Sequence, residues 1–506
     1  MKKIATVLFF LFLTIPFFPQ SYKISDAQFT IEGAGFKFLG TTKEYSVLSN
    51  YPLDKKTVFK SQEELNTYIE NYKSQLESSR IFDTVQIDYE ASASDTVSEV
   101  TLLIHLEDSH HLVFMPYPKY SSNDGLSLKL KAKDTNFLGS MNTMNAEFKM
   151  NYSNKGFKPG FSFSFDYPFH IGPFHAEFIN DYTLTYVISD EKSGFEWQTK
   201  TGLKFSLPFD RLKLEFGAIQ YTNENFKYIK YKDDLYFTEN IFVALPITLT
   251  TFSNFSQLIY KPEISLNCNW DFDSINKEND DLSSPDLTFT HSLSNERILW
   301  EHNFRKGYSF EIKNAYMYNF QRNDFVPSLA FNGKYFNYFT ANDQEYWNRL
   351  GIATSLYTFA YFDIPDNKYF YGDTVGDKIR GVLDENYFGN SKPYGTSSAA
   401  IILNIDLPHN VCTTTFSKEI FNFNLQFSPF LDIAFVYDRE TKRAFHPADA
   451  FYCTGFEFLV YPLKWSSITV RASLGIDLKK SILEENNFLE AISHNNEVFI
   501  GIGLFY

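Results

Sequence analysis

The chain has 506 residues, with 46 Lys and Arg against 61 Asp and Glu, and a formal net charge of −15 at pH 7. This acidic balance argues against binding to nucleic acid, whose phosphates need cationic partners. Aromatic residues make up 18% of the chain, yet its mean hydropathy is −0.27. After the N-terminus no apolar run reaches the roughly eighteen residues of a membrane helix, which excludes spanning helices there.

The N-terminus has the residue order of a secretory signal peptide. Two lysines precede an apolar run at 4–18, and polar residues end it at Ser21. We expect cleavage in preference to a retained membrane anchor, with residues 1–21 removed on export; cleavage after Ala27, at a small-x-small pattern, is the alternative site. No cysteine lies at either position, which argues against lipoprotein processing.

The segment at 22–108 predicts one small α+β domain. A strand at 29–33 is followed by two helical stretches and by two alternating strands at 85–89 and 100–106. The second helix has an N-cap at Ser61 and a capping-box glutamate at Glu64. Its apolar residues recur at helical spacing and require a sheet to cover them; they are Leu65, Ile69, Tyr72 and Leu76.

The remainder, residues 109–506, is a succession of alternating strands and turns. Leu126, Leu128 and Leu130 alternate with polar residues, as in a strand with one apolar face. A soluble all-β protein would show the same alternation. An antiparallel barrel of about sixteen strands is consistent with this length, since it leaves about twenty-five residues for each strand with its loop. We find no fixed-period repeat of the kind that a propeller would show.

The sequence contains no pattern typical of an enzyme or of a metal or cofactor site. It lacks a Gly-x-Ser-x-Gly elbow, a phosphate loop and a His-Glu-x-x-His pair. The three cysteines are too far apart for zinc or a disulfide framework, and His110 and His111 are interpreted as a domain-junction pair. We therefore expect no enzymatic activity, no cofactor and no bound metal.

Four further motifs resemble those of one family. Phe82 and Val85 follow the second helix as in the phrase that closes a POTRA domain, and Asn136, Phe137, Leu138 and Gly139 are similar to a turn after a first barrel strand. A long loop at 361–398 contains Ile379-Arg380-Gly381, and the later strand Phe430-Leu-Asp432-Ile-Ala434 is similar to Phe-x-Asp-x-Gly. Together they resemble the POTRA-plus-barrel superfamily of outer-membrane assembly and secretion proteins, which is BamA/TamA-like and also called the bacterial surface antigen family.

This resemblance implies a mostly β fold, with one periplasmic POTRA-like domain before a transmembrane barrel in the outer membrane. It implies that Arg380 and Gly381 fold back into the barrel, where Asp432 receives the arginine. Five strands should follow the loop, at 399–407, 425–437, 451–461, 468–478 and 498–506. The last would carry the family's C-terminal barrel signal on its lipid-facing side, in Val498, Ile500, Ile502, Leu504 and Tyr506.

The family also implies partners. These are outer-membrane lipids, unfolded outer-membrane or secreted β-rich client proteins, and accessory periplasmic lipoproteins. The leading hypothesis is an assembly factor that pairs client strands with the seam between the first and last barrel strands. A two-partner secretion pore for one client, or a structural or surface-interaction barrel, stays open as an alternative.

Overall fold

A computed structural model describes the chain at 21–33, 40–92, 97–121, 125–153, 156–188, 193–209, 211–224, 234–252, 256–275, 282–340, 349–362, 371–382, 396–414, 416, 422–438, 442–464, 469–479, 481 and 496–505. The predicted signal peptide therefore lies almost entirely outside the described residues, as does Tyr506, and both stay predictions.

The N-terminal part is a four-stranded sheet covered by helices. Its elements in chain order are β1 (Ser21–Glu32), α1 (Glu44–Asn50), β2 (Val58–Phe59), α2 (Gln62–Ser78), β3 (Phe82–Ala91) and β4 (Val97–Asp108). The strand order is β2-β1-β4-β3, with β1 parallel to β4 and the other pairs antiparallel. The predicted element order is present, with the short β2 added between the helices.

Helix α2 forms where the sequence predicts a cap and an apolar face. The Ser61 hydroxyl accepts a hydrogen bond from the Glu64 backbone N–H at 3.2 Å, which satisfies one of the free amides of the first turn. The Glu64 carboxylate accepts from the Lys60 amide at 2.7 Å. The apolar face of the helix is buried against the sheet, in a core that includes Leu65, Ile69, Tyr72, Leu76, Leu102 and Leu106.

The remaining strands form a closed antiparallel barrel. Its strands are β5 (Leu112–Ser121), β6 (Gly125–Asp134), β7 (Met144–Ser153), β8 (Gly156–Ser164), β9 (Tyr167–Ile171), β10 (Phe174–Ile188), β11 (Ser193–Pro208), β12 (Lys213–Glu224), β13 (Leu235–Ala244), β14 (Ile247–Thr251), β15 (Gln257–Trp270), β16 (Asp286–Glu301), β17 (Phe304–Asn319), β18 (Asp324–Thr340), β19 (Arg349–Tyr361), β22 (Ala399–Asp406), β23 (His409–Thr413), β24 (Phe423–Asp438), β25 (Arg443–Ala444), β26 (Phe451–Pro462), β27 (Val470–Asp477) and β28 (Asn496–Ile502). Two short strands, β20 (Asp373–Thr374) and β21 (Thr396–Ser397), form a separate ribbon.

The predicted closed barrel is confirmed, and its strands are more numerous than the sixteen or so predicted. The circuit has 22 strand segments in the described part of the chain. Some are halves of one interrupted strand, since β8 and β9 both pair with β10, and β13 and β14 both pair with β15. Strand β5 also precedes β6, which the sequence had indicated as the first barrel strand.

The outer surface of the barrel is apolar. Leu126, Leu128 and Leu130 on β6 are 44%, 49% and 38% exposed, and they pair across the ladder with Tyr152, Met150 and Phe148 of β7, which are also exposed. The alternate residues face the lumen, where Lys129 forms an ion pair with Glu147. Within the described residues, none of the helices is both long and apolar enough to cross a membrane.

Candidate functional site

The loop between β19 and β22 brings Arg380 into the barrel, where its side chain is almost fully buried. The Arg380 Nη2 and Nε atoms donate hydrogen bonds to the two carboxylate oxygens of Asp432 on β24, at 2.7 and 2.9 Å. The Arg380 backbone N–H donates to the same carboxylate at 2.8 Å. This bidentate contact fixes both the side chain and the backbone of the loop to one strand.

Two further carboxylates surround the same guanidinium. Arg380 Nη1 lies 2.7 Å from Asp406 Oδ1 on β22 and 3.0 Å from Glu457 Oε1 on β26. Glu457 also lies 3.3 Å from Nη1 of Arg471 on β27. A buried guanidinium is costly without partners, and here three neighbouring strands supply them. The structure thus brings together the predicted Arg380 and Asp432 and adds Asp406, Glu457 and Arg471.

A local signal could have found the added carboxylates. Glu457 stands between Phe456 and Phe458, both of which are exposed on the outer face. Alternation places the side chain between two lipid-facing residues inside the barrel. Acidic residues at lumen positions of the last strands were therefore visible in the sequence, although their common partner was not.

The loop backbone lies directly against β27. Gly381 has φ +90°, and a Cβ atom there would lie 2.7 Å from the Ile476 backbone nitrogen. A Cβ at Gly475 would in turn lie 2.6 Å from the Gly381 nitrogen. The Gly381 N–H donates to the Glu497 carboxylate of β28 at 2.8 Å. Glycine is required at this contact because no side chain fits between the two backbones.

The apolar side of loop segment 371–382 is also buried. Val375, Ile379 and Val382 pack in one cluster with Ile402 and Ala434 of the barrel wall. Val382, directly after Gly381, is 1% exposed. Its side chain is accommodated in the cluster, so the loop is held by packing as well as by charge.

Aromatic rings cover the buried cations. The Arg380 guanidinium lies 3.6 Å from the ring centroid of Phe430 and 4.4 Å from that of Phe505. The Arg471 guanidinium lies 4.1 Å from the Phe499 ring. Such contacts add cation–π attraction in a site with little water. They also place Phe505, next to the C-terminus, inside the barrel.

The position of Phe505 corrects one prediction about the last strand. The sequence predicted lipid-facing alternation from Val498 through Leu504 to Tyr506, but β28 ends at Ile502, and Tyr506 lies outside the described residues. Gly503 has φ +108°, and its N–H donates to the Thr469 carbonyl at 2.8 Å. The chain turns inward there, and Leu504 lines one cavity among barrel residues and a second one between the barrel and the N-terminal domain. Ile500 does face outward, and Val498 and Ile502 are half-buried in the strand.

The closure between β28 and β5 is sparse. Among the residues that the structure describes, the two strands pair only at Phe499 with Ser121 and at Ile500 with Tyr120. On its other side, β28 pairs with β27 from Asn496 to Ile502, which is its whole length. Strand β5 likewise pairs with β6 throughout. The seam is therefore much weaker than the joints that flank it.

The turn motif after β6 joins the barrel to the N-terminal domain. Asn136 is fully buried, and its Nδ2 donates to the Thr42 hydroxyl at 2.6 Å. The Thr42 hydroxyl and backbone N–H donate to the Asp108 carboxylate at 2.5 and 2.8 Å. The Gly139 carbonyl accepts from the Lys43 amide at 3.0 Å. Because β5 precedes β6, the motif follows the second strand of the barrel and not the first.

The other two motif residues and the histidine pair complete this junction. Phe137 packs edge to face on Phe165 at 4.8 Å between ring centroids, and Leu138 is partly exposed. His111 is buried, with its Nδ1 2.6 Å from the Asp134 carboxylate. Burial raises the pKa of the Asp108 carboxyl, and the hydrogen bonds from Thr42 oppose that rise.

The predicted POTRA motif lies in the core of the N-terminal domain. Phe82 and Val85 on β3 are buried in the same cluster as Tyr72 and Leu76 of α2. Their location is the one that the sequence predicts for residues that close a helix onto a sheet. No contact among the described residues links Phe82 or Val85 to the barrel site. Their role is to pack the core of the N-terminal domain.

Comparison with known proteins finds likeness among solved structures. No family model matches the chain, and no curated protein matches it. Among solved structures it is similar to BamA from Haemophilus ducreyi lacking POTRA domains 1–3, with 13% identity and a TM-score of 0.39, over 94% of this chain and 84% of that one. It is similar to CdiB from Acinetobacter baumannii, with 10% identity and a TM-score of 0.49, over 95% and 73%. CdiB from Escherichia coli gives 11% identity and a TM-score of 0.46, over 94% and 76%.

Proposed function

We propose that this chain is an outer-membrane barrel that inserts or translocates β-rich client proteins by strand pairing at the seam between β28 and β5. Placement in a membrane is supported by the exposed apolar side chains of neighbouring strands, which form a continuous surface across β6 and β7. The N-terminal domain would lie in the periplasm. Membrane lipids and unfolded clients are then the partners.

The observation that carries the proposal is the sparse pairing of the seam. An edge with unpaired backbone groups is a template for another strand. From Leu112 to Lys119, β5 has β6 on one side and no described residue of β28 on the other. A client strand that pairs there gains hydrogen bonds to backbone groups that the closed barrel does not already satisfy, although Pro116 and Pro118 have no N–H to donate.

The loop contact fixes one of the two seam strands, β28, through the bond from Gly381 to Glu497. Gly381 bonds to Glu497 on β28, and Arg380 joins β22, β24 and β26. These bonds hold β28 to the wall on the side away from the seam. Opening would therefore separate β5 from a fixed β28, and strain would not spread through the C-terminal strands.

A disulfide across the seam tests the function. In a variant whose three native cysteines are replaced, Ile500→Cys with Tyr120→Cys lies at directly opposed positions. We expect the oxidised protein to fold but to lose insertion of a client barrel into proteoliposomes, and reduction to restore it. The readout is the heat-modifiable migration of the client on a gel.

The matched control joins the same cysteine to the other neighbour. Ile500→Cys with Ala472→Cys links β28 to β27, which is already fully paired, and should leave insertion unchanged. Full insertion with the seam locked would show that the seam does not open for clients. Activity on only one dedicated client would indicate a secretion pore, and no activity on any client would indicate a structural barrel.

A further inference from the structure

Two histidines face each other across a hairpin at the end of the barrel beside the N-terminal domain. His170 on β9 and His175 on β10 are directly opposed in the antiparallel ladder. The turn between the strands consists of Gly172 and Pro173, and Gly172 has φ +56°, a conformation that glycine adopts without strain. Strand β10 is also paired with β11 at this level, where His175 lies opposite Ser206. The backbone therefore holds the two imidazoles in a fixed register.

The ring nitrogens of this histidine pair are close together and accessible. His170 Nε2 lies 2.8 Å from His175 Nδ1, and the ring centroids are 4.4 Å apart. Both residues are exposed. A neutral imidazole has one nitrogen that carries a proton and one with a free lone pair, so at this distance one ring donates and the other accepts. The proton between the two facing nitrogens occupies the place that a metal ion could take.

The position of the pair leaves it open to ions in solution. The His170 ring packs edge to face on Tyr45 of α1, with ring centroids 5.9 Å apart. Because Tyr45 belongs to the N-terminal domain, the pair lies beyond the apolar outer surface of the barrel. A dissolved ion can reach the two rings without crossing that surface.

The pair can supply two ligands of an open metal site. Among the residues that the structure describes, no group of three or more His, Cys, Asp or Glu could hold a metal ion, so water would complete the coordination. An ion bound tetrahedrally at about 2.0–2.1 Å from each nitrogen needs those nitrogens about 3.3 Å apart, so the rings must separate by about 0.5 Å. Exposed side chains can make this change by rotating within their staggered conformers.

The charges near the pair decide whether a cation is tolerated there. Lys213 is close enough to act electrostatically on His175. However, Lys213 Nζ lies 2.8 Å from Glu215 Oε1, and this carboxylate offsets the positive charge. The affinity should therefore be moderate, as expected for two protein ligands with water in the remaining positions.

We infer that His170 and His175 bind one divalent transition-metal ion, such as Zn²⁺, at the barrel end beside the N-terminal domain. Imidazole nitrogen is a preferred ligand of Zn²⁺, Cu²⁺ and Ni²⁺. On binding, the ring that carries the shared proton changes tautomer and holds that proton on its other nitrogen, so both facing lone pairs bind the ion. The sequence motifs predicted no bound metal, because the pair becomes adjacent only through strand pairing. Neither residue lies on β5 or β28, so the inference does not rest on the proposed function.

Zinc titration tests the inference. The full-length folded protein in detergent, without a histidine tag, is titrated with ZnCl₂ at neutral pH in a calorimeter. We expect one ion per chain to bind with a micromolar dissociation constant. MgCl₂ in about hundredfold excess should not compete, because Mg²⁺ prefers oxygen ligands.

Two variants and a matched control localise the ion. His170→Gln and His175→Gln each remove one ligand and should weaken zinc binding by at least about tenfold. His446→Gln replaces an exposed histidine outside the pair, whose Nδ1 accepts from the Ala448 backbone N–H, and should keep the wild-type affinity. Heat-modifiable migration verifies that all three variants are folded. Wild-type protein that binds no zinc at millimolar concentration, or an unchanged affinity in either ligand variant, would overturn the inference.

Discussion

The two sides of strand β28 differ in how firmly they are held. On one side lie β27 and the inserted loop, with ladder hydrogen bonds along the strand and the bond from Gly381 to Glu497. On the other side lies β5, with described pairs at Phe499 and Ile500 only. The C-terminal strands of the barrel are therefore fully paired with one another, whereas the first strand, β5, pairs with β28 at two described positions only.

This difference shows how one barrel can combine a stable wall with one weak joint. Separating the partners of a buried ion pair costs much free energy, because each charge is then left buried and unpaired. A short ladder is a weak restraint, because each backbone hydrogen bond contributes little net free energy. If the loop contact determines the stability of the barrel independently of the seam, its variants should lower the free energy of unfolding while the seam is unchanged.

The largest effect is expected at Arg380. Arg380→Ala removes the common partner of Asp432, Asp406 and Glu457, so it should lower the free energy of unfolding by about 3–5 kcal/mol. Urea unfolding in lipid vesicles, followed by tryptophan fluorescence, measures the loss. Asp432→Ala should cost less, because the guanidinium keeps two carboxylates, and the double variant should be no worse than Arg380→Ala alone.

The control for that series is an ion pair on the same barrel whose cation is largely exposed to solvent. Arg443 Nη2 lies 2.5 Å from Asp449 Oδ1, with the arginine side chain 45% exposed. Arg443→Ala should change the unfolding free energy by less than about 1 kcal/mol. If Arg380→Ala were no worse than this control, the buried cluster would not stabilise the loop.

The arginine and its first carboxylate could be predicted because each belongs to a short motif on its own segment. The contacts of Asp406 and Glu457 with Arg380 could not be predicted in this way, because they form only when β22, β24 and β26 lie side by side. Alternation in the sequence indicates that such residues face the lumen. It does not indicate which lumen-facing residues of neighbouring strands lie at the same level along the barrel axis. Strand register supplies that, and no local pattern encodes it.

The next effect is expected where the loop backbone meets β27. Gly381→Ala should destabilise the barrel by about 2–4 kcal/mol, because the new Cβ would meet the Ile476 backbone and the residue would stay at positive φ. The same unfolding measurement applies. Gly172→Ala is the matched control, since Gly172 has φ +56° with no atom within 4 Å of an added Cβ. Equal losses in both variants would assign the effect to backbone strain alone.

A smaller effect is expected at the joint between the two domains. Asn136→Ala leaves the Thr42 hydroxyl without its donor in a buried site, at a cost of about 1–3 kcal/mol. Hydrogen exchange should become faster at the amides of Thr42 and Lys43, while the Asp432 region is unchanged. Faster exchange in both places would mean that the joint and the loop contact are one unit.

That joint also marks a limit of sequence reasoning. The turn motif at 136–139 was recognisable, and the cap at Ser61 with the apolar face of α2 was predicted residue by residue. The partner of Asn136 was not, because Thr42 lies 94 positions earlier in the chain. A hydrogen bond between such distant side chains leaves no periodic trace, whereas helix caps and alternation are local. The end of β28 was not predicted for a similar reason, because Phe505 contacts Arg380, which is distant in the sequence.

The smallest effect concerns that inward turn and sharpens the comparison between the two sides of β28. Phe505→Leu keeps an apolar side chain but removes the ring 4.4 Å from the Arg380 guanidinium, so the barrel should lose about 0.5–1 kcal/mol of unfolding free energy. Phe505→Tyr keeps the ring and should stay at the wild-type value. If the ring acts through the arginine, Phe505→Leu should cost nothing further in the Arg380→Ala background. If Phe505→Leu lowered the free energy of unfolding by the same amount in the Arg380→Ala background, Phe505 would act independently of the loop arginine. The C-terminal turn would then hold β28 in place at the seam without the loop.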